Sequence, residues 1–358
     1  MKATQQLHET GQSLWIDDIT RDMLDSGRLQ KMIADLSVTG LTSNPTIFEK
    51  AIGKGAQYDA AIEQLVRRGL LGEALFIELA LDDLKRAADL FLPVHKLTAT
   101  VDGWVSLEVS PLLAYDAQAT IAEAKRLFAK AGKPNVFIKI PGMREGLPAI
   151  EAATFAGVPV NVTLLFSTAQ YLAAADAHMR GLERRIEAGL APDVRSVASV
   201  FISRWDRAIV EKVPDELKHR LGIAVGQHAY RAYRDLIASD RWQRLESLGA
   251  RPQRLLFAST SSKDKRVTDT LYITALAAPN TVNTMPDDTL RAFADHGVVD
   301  GMLSPDGGDC DAVLAAHADA RIDVNALAQQ LQSDGAKAFV ASWQDLLGSI
   351  GAKSKALA

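Results

Sequence analysis

The chain has 358 residues, with 40 Lys plus Arg against 44 Asp plus Glu, for a formal net charge of −4. That balance excludes a protein held to nucleic acid by bulk electrostatics, which shows a basic excess, and 47% hydrophobic with 23% charged residues excludes a disordered chain. Length alone suggests about two domains, but a single α/β barrel starts at about 250 residues and grows by insertion.

Short β-like runs alternate with longer amphipathic segments. Leu14–Asp17 and Val38–Thr42 come first, and about sixty mostly helical residues, including Gly72–Leu92, separate them from Val105–Val109. Gln118–Ala131 then places Ile121, Ala124, Leu127 and Phe128 at helical spacing. Next come Val136–Pro141, Pro159–Phe166, the helical Ser167–Gly189, and Val197–Ile202. Helical patterns over Arg204–Lys212 and Ile223–Ile237 lead to Leu255–Thr260, and Thr281–Met285 closes the series. More than seventy residues follow, with helical patterns at Asp311–Ala318 and Ala336–Leu347 and a tail, GAKSKALA, expected to fray.

Each β-like run is bounded by Gly, Pro, Asn, Asp or Ser, and most are rich in Val, Ile, Leu or Phe. Eight strand-then-helix units with right-handed crossovers close into a (β/α)8 TIM barrel. No linker or low-complexity block interrupts the chain. The expectation is one domain over 1–358, with 287–358 as its C-terminal helical elaboration.

Strand phase then selects the residues that matter. Side chains alternate faces along a strand. Val105, Leu107 and Val109 share one face and oppose Ser106 and Glu108; Val136, Ile138 and Ile140 oppose Phe137 and Lys139; Val160, Val162, Leu164 and Phe166 oppose Asn161 and Thr163. If the apolar faces meet the helices, then Glu108, Lys139, Asn161 and Thr163 point into the barrel, and Trp15 with Asp17 takes the same phase. A barrel interior is normally filled by Val, Ile and Leu, so this polar group demands partners or a task. Lys139 is either a buried ion-pair partner of Glu108 or Asp17, or a nucleophile. An ordinary lysine is free amine in only about one molecule in 2,500 at pH 7. Burial raises that fraction and suits Schiff-base chemistry with a carbonyl. Asp17 could instead cap the following helix, a role open also to Asp18 or Thr20. Asn44, just before Pro45, has the same capping alternative.

The segments LWIDD, LTSNPTIFEKAI, VSLEVSP, NVFIKIPG, VNVTLLFS and ASTSSK occur in this order over nearly the whole chain. Together they resemble the transaldolase family, in its bacterial branch with the TSNPTIFEKAI segment. The resemblance implies that Lys139 forms the Schiff base, that Glu108 moves protons through a water, and that Thr163 positions that water. It makes Asp17 the acid/base for carbon–carbon cleavage, Asn44 and Asn161 groups that bind substrate hydroxyls and orient the lysine, Ser199 and Arg204 a phosphate-binding pair, and Phe201 a lining residue. Where many relatives carry a phosphate-gripping arginine after the seventh strand, this chain has Ser262 and Lys263, and Lys263 is the expected substitute. Arg266 is the alternative substitute, and is expected rather to be a solvated helix residue. Met143 stands where relatives often have a small or hydroxylated residue.

The implied reaction moves a dihydroxyacetone unit from sedoheptulose 7-phosphate to glyceraldehyde 3-phosphate, within the non-oxidative pentose phosphate pathway. It needs no cofactor and no metal. Sugar phosphates are the expected partners, and the chain is expected to be a monomer or a homodimer. The alternatives are a class I fructose-6-phosphate-type aldolase and a non-catalytic sugar-phosphate-binding barrel.

The remaining signals are bland. Cys310 is the only cysteine, so neither an intramolecular disulfide nor a thiolate metal cluster can form. The opening residues show no apolar leader, and no run reaches the ~20 apolar residues of a membrane span, so cytoplasm is the expected compartment. Asp306, Asp309 and Asp311 in SPDGGDCD do not have EF-hand spacing and read as a turn before a helix. His178, His228 and His317 read as packing or surface residues. No phosphate-binding GxxxxGK[ST] loop is present.

Overall fold

The computed structural model describes residues 1–357, with Lys54 by its backbone only. Eight strands run parallel and close on themselves in sequence order: β1 (Ser13–Asp17), β2 (Val38–Thr42), β3 (Trp104–Glu108), β4 (Val136–Pro141), β5 (Val160–Leu165), β6 (Ser196–Phe201), β7 (Gln253–Ala258) and β8 (Val282–Met285). The expected barrel is therefore the observed one. β2 and β4 have the expected limits, and the other strands differ by a few residues at one or both ends.

The strand phases also hold as far as Thr163; beyond it a left-handed Leu164 (φ 61°) breaks the alternation expected to run on through Leu164 and Phe166. Leu14, Ile16, Val105, Leu107, Ile138, Ile140, Val160 and Val162 are fully buried within the main apolar core. Each such side chain contributes about 1.5–3 kcal/mol by leaving water. On the opposite phase, Trp15, Trp104 and Phe137 meet at the barrel axis. The Trp104 and Phe137 rings stack at 4.1 Å between centroids, and Trp15 lies 6.0 Å from Phe137. Gly40 makes this possible, because a Cβ there would stand 2.6 Å from Trp15 Nε1 and 2.8 Å from the Trp104 carbonyl oxygen. The lower barrel is thus filled by aromatic rings rather than by Val, Ile and Leu. Beneath this plug, at the amino ends of the strands, lies a cavity of about 530 Å³ whose lining includes Arg254. That arginine donates to Ser13 Oγ and to the Thr281 carbonyl, and pairs with Asp102 at 3.3 Å.

Helices follow their capping signals. Ser167 caps Thr168–Glu187 in a reciprocal box with Gln170, and Asp116 caps Ala117–Ala131. The long insertion after β2 forms Pro45–Lys54, Asp59–Arg67 and Gly72–Leu97. The last of these runs through Pro93 and so extends beyond the expected Gly72–Leu92. Its buried Asp83 accepts hydrogen bonds from Arg21 and from the Tyr58 hydroxyl.

Two sequence expectations need correction. As far as Leu357 the tail does not fray, and Ala358 lies outside the described residues: a single helix spans Val324–Leu357 and contains the expected Ala336–Leu347. Ile350 and Ser354 are buried, and Lys353 pairs with Asp59, so the last turns are held by tertiary contacts. Arg266 is exposed as expected, but in a turn rather than a helix, paired with Asp264. No helix among the described residues is long and apolar enough to cross a membrane.

Candidate active site

The carboxyl ends of the strands, where this fold keeps its chemistry, open on a cavity of about 410 Å³. Lys139, Asp17, Thr163, Asn44, Ser199, Phe201, Arg204 and Lys263 all line it. Glu108 and Asn161 sit beside Lys139 in the neighbouring strands, because β3 pairs Glu108 with Lys139 and β5 pairs Asn161 with Lys139. The ten residues singled out from sequence are therefore brought together in one place.

Lys139 is buried, with its Nζ donating to the Ser43 carbonyl oxygen at 3.1 Å and lying 3.4 Å from Glu108 Oε2. The second contact is an ion pair without hydrogen-bond geometry. Neither Glu108 oxygen has a hydrogen-bonding partner in the protein, and neither does the buried Thr163 hydroxyl. Burial dominates the Glu108 carboxyl and pushes its pKa up from the ordinary 4.5 to about 7, against the lowering influence of Lys139. A carboxyl poised near neutrality can both give and take a proton. The ion-pair reading and the nucleophile reading of Lys139 therefore share one geometry.

Asn161 is held at both ends. Its Nδ2 donates to Ser106 Oγ at 3.1 Å, and its Oδ1 accepts from Ser199 Oγ at 2.8 Å. Ser199 lines the cavity, but its hydroxyl is committed to Asn161. Asp17 accepts from Thr42 Oγ1 at 2.7 Å, and Thr42 in turn meets Thr284 Oγ1 at 2.9 Å. The helix-capping alternative for Asp17 falls away, because Thr20 caps Arg21–Asp25. For Asn44 the capping alternative is real: its Oδ1 accepts from Ile47 N at 3.2 Å while the residue lines the cavity.

The cavity rim is cationic. Lys50, Arg204, Arg207 and Lys263 face it, with Asp17 as the lining carboxylate. The Arg204 guanidinium lies 4.7 Å from the centre of the Phe201 ring, and burial lowers its pKa, with Arg207 adding repulsion. Ser259, in a left-handed conformation at φ 57°, and Ser261 add hydroxyls after β7. A side chain absent from the sequence argument closes the top. Phe339, from the C-terminal helix, lines the cavity with its ring centre 5.7 Å from Lys139 Nζ. Thr42, Ser43, Thr284, Lys50 and Arg207 are also not singled out by the sequence, and Ser106 is placed there by strand phase alone. Met143 is buried and is not among the cavity-lining residues.

Elsewhere the bland readings hold. Asp306 accepts from Gly308 N in a turn, while Asp309 and Asp311 pair with Arg220 and Arg231. His178 and His317 are buried packing residues and His228 is half-buried. No cluster of three or more His, Cys, Asp or Glu among the described residues is arranged to hold a metal ion.

Comparison with known proteins gives one answer. A model of the transaldolase/fructose-6-phosphate aldolase family matches residues 14–350. A transaldolase of Parafrankia sp. (strain EAN1pec) is 44% identical over 98% of this chain and 97% of its own length. One of Arthrobacter sp. (strain FB24) is 45% identical over 97% and 96%. Transaldolase 2 of Nostoc sp. (strain PCC 7120 / SAG 25.82 / UTEX 2576) is 40% identical over 98% and 97%.

Proposed function

The chain belongs to the transaldolase/fructose-6-phosphate aldolase family and is a transferase, and on that premise we propose how its residues divide the work. Lys139 attacks the C2 carbonyl of a ketose phosphate, sedoheptulose 7-phosphate, and forms a carbinolamine. Glu108 protonates the departing hydroxyl through a water held between its carboxyl and the Thr163 hydroxyl. Two buried polar groups without protein partners beside the amine support that placement. Water leaves and an iminium remains.

Asp17 then takes the proton from the C4 hydroxyl. The C3–C4 bond breaks, its electrons move to the iminium nitrogen, and erythrose 4-phosphate departs. The enamine of a dihydroxyacetone unit stays on Lys139. Glyceraldehyde 3-phosphate enters, its carbonyl accepts the enamine carbon and the proton from Asp17, and water releases fructose 6-phosphate. Asp17 and Glu108 keep separate tasks because they lie on different strands with different surroundings. Thr42 fixes the rotamer of Asp17, and Asn161, clamped by Ser106 and Ser199, orients Lys139. Asn44 takes a substrate hydroxyl, and Arg204 and Lys263 hold the phosphate, with Phe201 stacked beneath the guanidinium. Serving phosphate with Lys263 supplies a point charge rather than a planar fork. Ser199 acts in this scheme mainly through Asn161.

The observation that carries the proposal is the buried Lys139 amine 3.4 Å from a buried carboxylate, Glu108, whose oxygens have no hydrogen-bonding partner in the protein. Sodium borohydride with fructose 6-phosphate should leave a reduced three-carbon adduct on the Lys139 peptide, and Lys139→Met should leave none. An unmodified Lys139 peptide in the parent enzyme refutes the Schiff base. Repeating the trap with an acceptor aldose phosphate separates the two reaction classes. A transferase discharges the adduct into a new ketose phosphate, whereas an aldolase releases dihydroxyacetone without acceptor. A non-catalytic barrel forms neither product. We also propose a cytoplasmic protein, monomeric or homodimeric, in which 287–358 elaborates the barrel domain.

A further inference from the structure

Resting on the proposed Lys139 chemistry, we propose that Gln332 is a positioning residue, which couples the C-terminal helix to the two strand ends that carry Lys139 and Thr163. β4 carries Lys139 and ends beside Gly142, and β5 carries Asn161 and Thr163. Gly142 N donates to the Thr163 carbonyl at 2.7 Å and joins the two ends. Immediately beyond Thr163 the backbone turns. Leu164 has φ 61°, a left-handed conformation costly for a branched side chain, and the pairing with β6 loses register between Val162 and Leu165.

Gln332 meets this irregular point. Its Nε2 donates to the Leu164 carbonyl at 2.9 Å and to the Gly142 carbonyl at 3.2 Å. One side-chain amide therefore spans both strand ends with its two N–H groups. The same helix face continues the contact. Gly335 approaches so closely that a Cβ would stand 2.9 Å from Leu164 Cδ2 and 3.2 Å from Arg204 Nη1. Phe339 then covers Lys139. Positions 332, 335 and 339 fall at i, i+3 and i+7, which is one stripe of a helix. Along the buried stripe that includes Ala328, Ala336, Trp343, Leu346 and Ile350, Gln332 is a half-buried polar residue. Its two bonds fix the kink at Leu164, and with it the direction of the preceding Thr163 hydroxyl, while setting the height of Phe339 above the amine.

The prediction follows from geometry. Catalytic groups displaced by about 1 Å lose about a hundredfold in rate, and Gln332 touches no group that reaches the substrate through a bond of its own. Gln332→Met keeps length and removes both donors. It should lower kcat at least about tenfold, leave KM for the ketose phosphate within about threefold, and still give a full Lys139 borohydride adduct at saturation. Gln332→Lys, which restores a donor of similar reach, should recover much of the loss. Gln332→Leu, which also removes both donors, should reproduce the kcat signature and serves if Gln332→Met does not fold. Lys337→Ala, on the exposed face, should match the parent.

Turnover of Gln332→Met within twofold of the parent overturns the proposal. So does a loss carried by KM alone, or a loss matched by fewer trapped sites, which marks a folding effect. If the parent itself gives no Lys139 adduct, the underlying mechanism has failed; if the parent gives the adduct and Gln332→Met turns over normally, only the role of Gln332 has.

Discussion

Replacing Glu108 by Gln tests both the chemistry and the energetics of the site in one variant. In the folded protein the carboxyl titrates at about 7 against an ordinary 4.5, chiefly because it is buried. The folded state therefore holds its proton where the unfolded state has lost it. Stability from this group is complete below pH 4.5 and is lost as pH rises through 7. A shift of about 2.5 units at ~1.4 kcal/mol each is worth roughly 3 kcal/mol, and between pH 5 and 8 about 2–3 kcal/mol of it is lost. Unfolding entropy of about 2.1 cal/mol/K per residue converts that into about 3 °C of melting midpoint for this chain. From pH 5 to 8 the parent should thus lose about 3 °C more than Glu108→Gln, measured by calorimetry. In the same variant turnover should fall about 10²–10⁴-fold, the usual range for a lost acid–base group, and any kcat limb near pH 7 should vanish. Equal pH slopes in melting together with turnover within twofold of the parent refute the reasoning.

Three further outcomes follow from the structure. Lys263→Ala and Arg204→Ala should each raise KM for the phosphorylated ketose by about 10–100-fold, as expected for a lost charged hydrogen bond; steady-state kinetics with an unphosphorylated ketose donor and an unphosphorylated aldose acceptor should show little change. Gly40→Ala forces a methyl into the Trp15 indole and the Trp104 carbonyl and should cost about 1–3 kcal/mol or more, read as a lower denaturation midpoint in urea. Asp83→Ala leaves the Tyr58 hydroxyl unpaired and Arg21 with only its exposed partner Asp82 and should cost about 1–3 kcal/mol, whereas Asp82→Ala should cost under about 1 kcal/mol.

The barrel was legible because β3, β4 and β5 alternate cleanly. Polar residues in phase with one another on adjacent strands must face the axis together, and that phase alone places Glu108, Lys139, Asn161 and Thr163 there. The same rule reaches Thr42, two residues past Gly40 on β2 and in phase with it, but a strand reading Val-Thr-Gly-Leu-Thr carries no apolar face strong enough to set its phase. Phe339 and Gln332 were out of reach for a different reason. Periodicity along the C-terminal helix reports that one face is buried, but not what it is buried against. Their contacts join positions about 170–200 residues apart. The expected frayed tail failed likewise, since Lys353 finds Asp59 only after folding. Lys263 was reached through a departure from the family pattern, and its place on the cavity wall came from the loop after β7.

The aromatic plug of Trp15, Trp104 and Phe137 has a kinetic meaning. It stands between the site and the cavity at the amino ends, so the reacting lysine sits at the bottom of a vessel with one mouth. On the proposed mechanism the first aldose, freed by the C3–C4 cleavage that creates the enamine, leaves through the same opening of the cavity by which the second enters. The enamine on Lys139 imposes alternation: one aldehyde departs, the modified enzyme stands empty, and the next arrives. The departing aldose competes with the incoming one for the same modified form. The covalent chemistry sets the order of exchange, and the filled barrel floor, far from any proton transfer, sets the single route by which the exchange takes place.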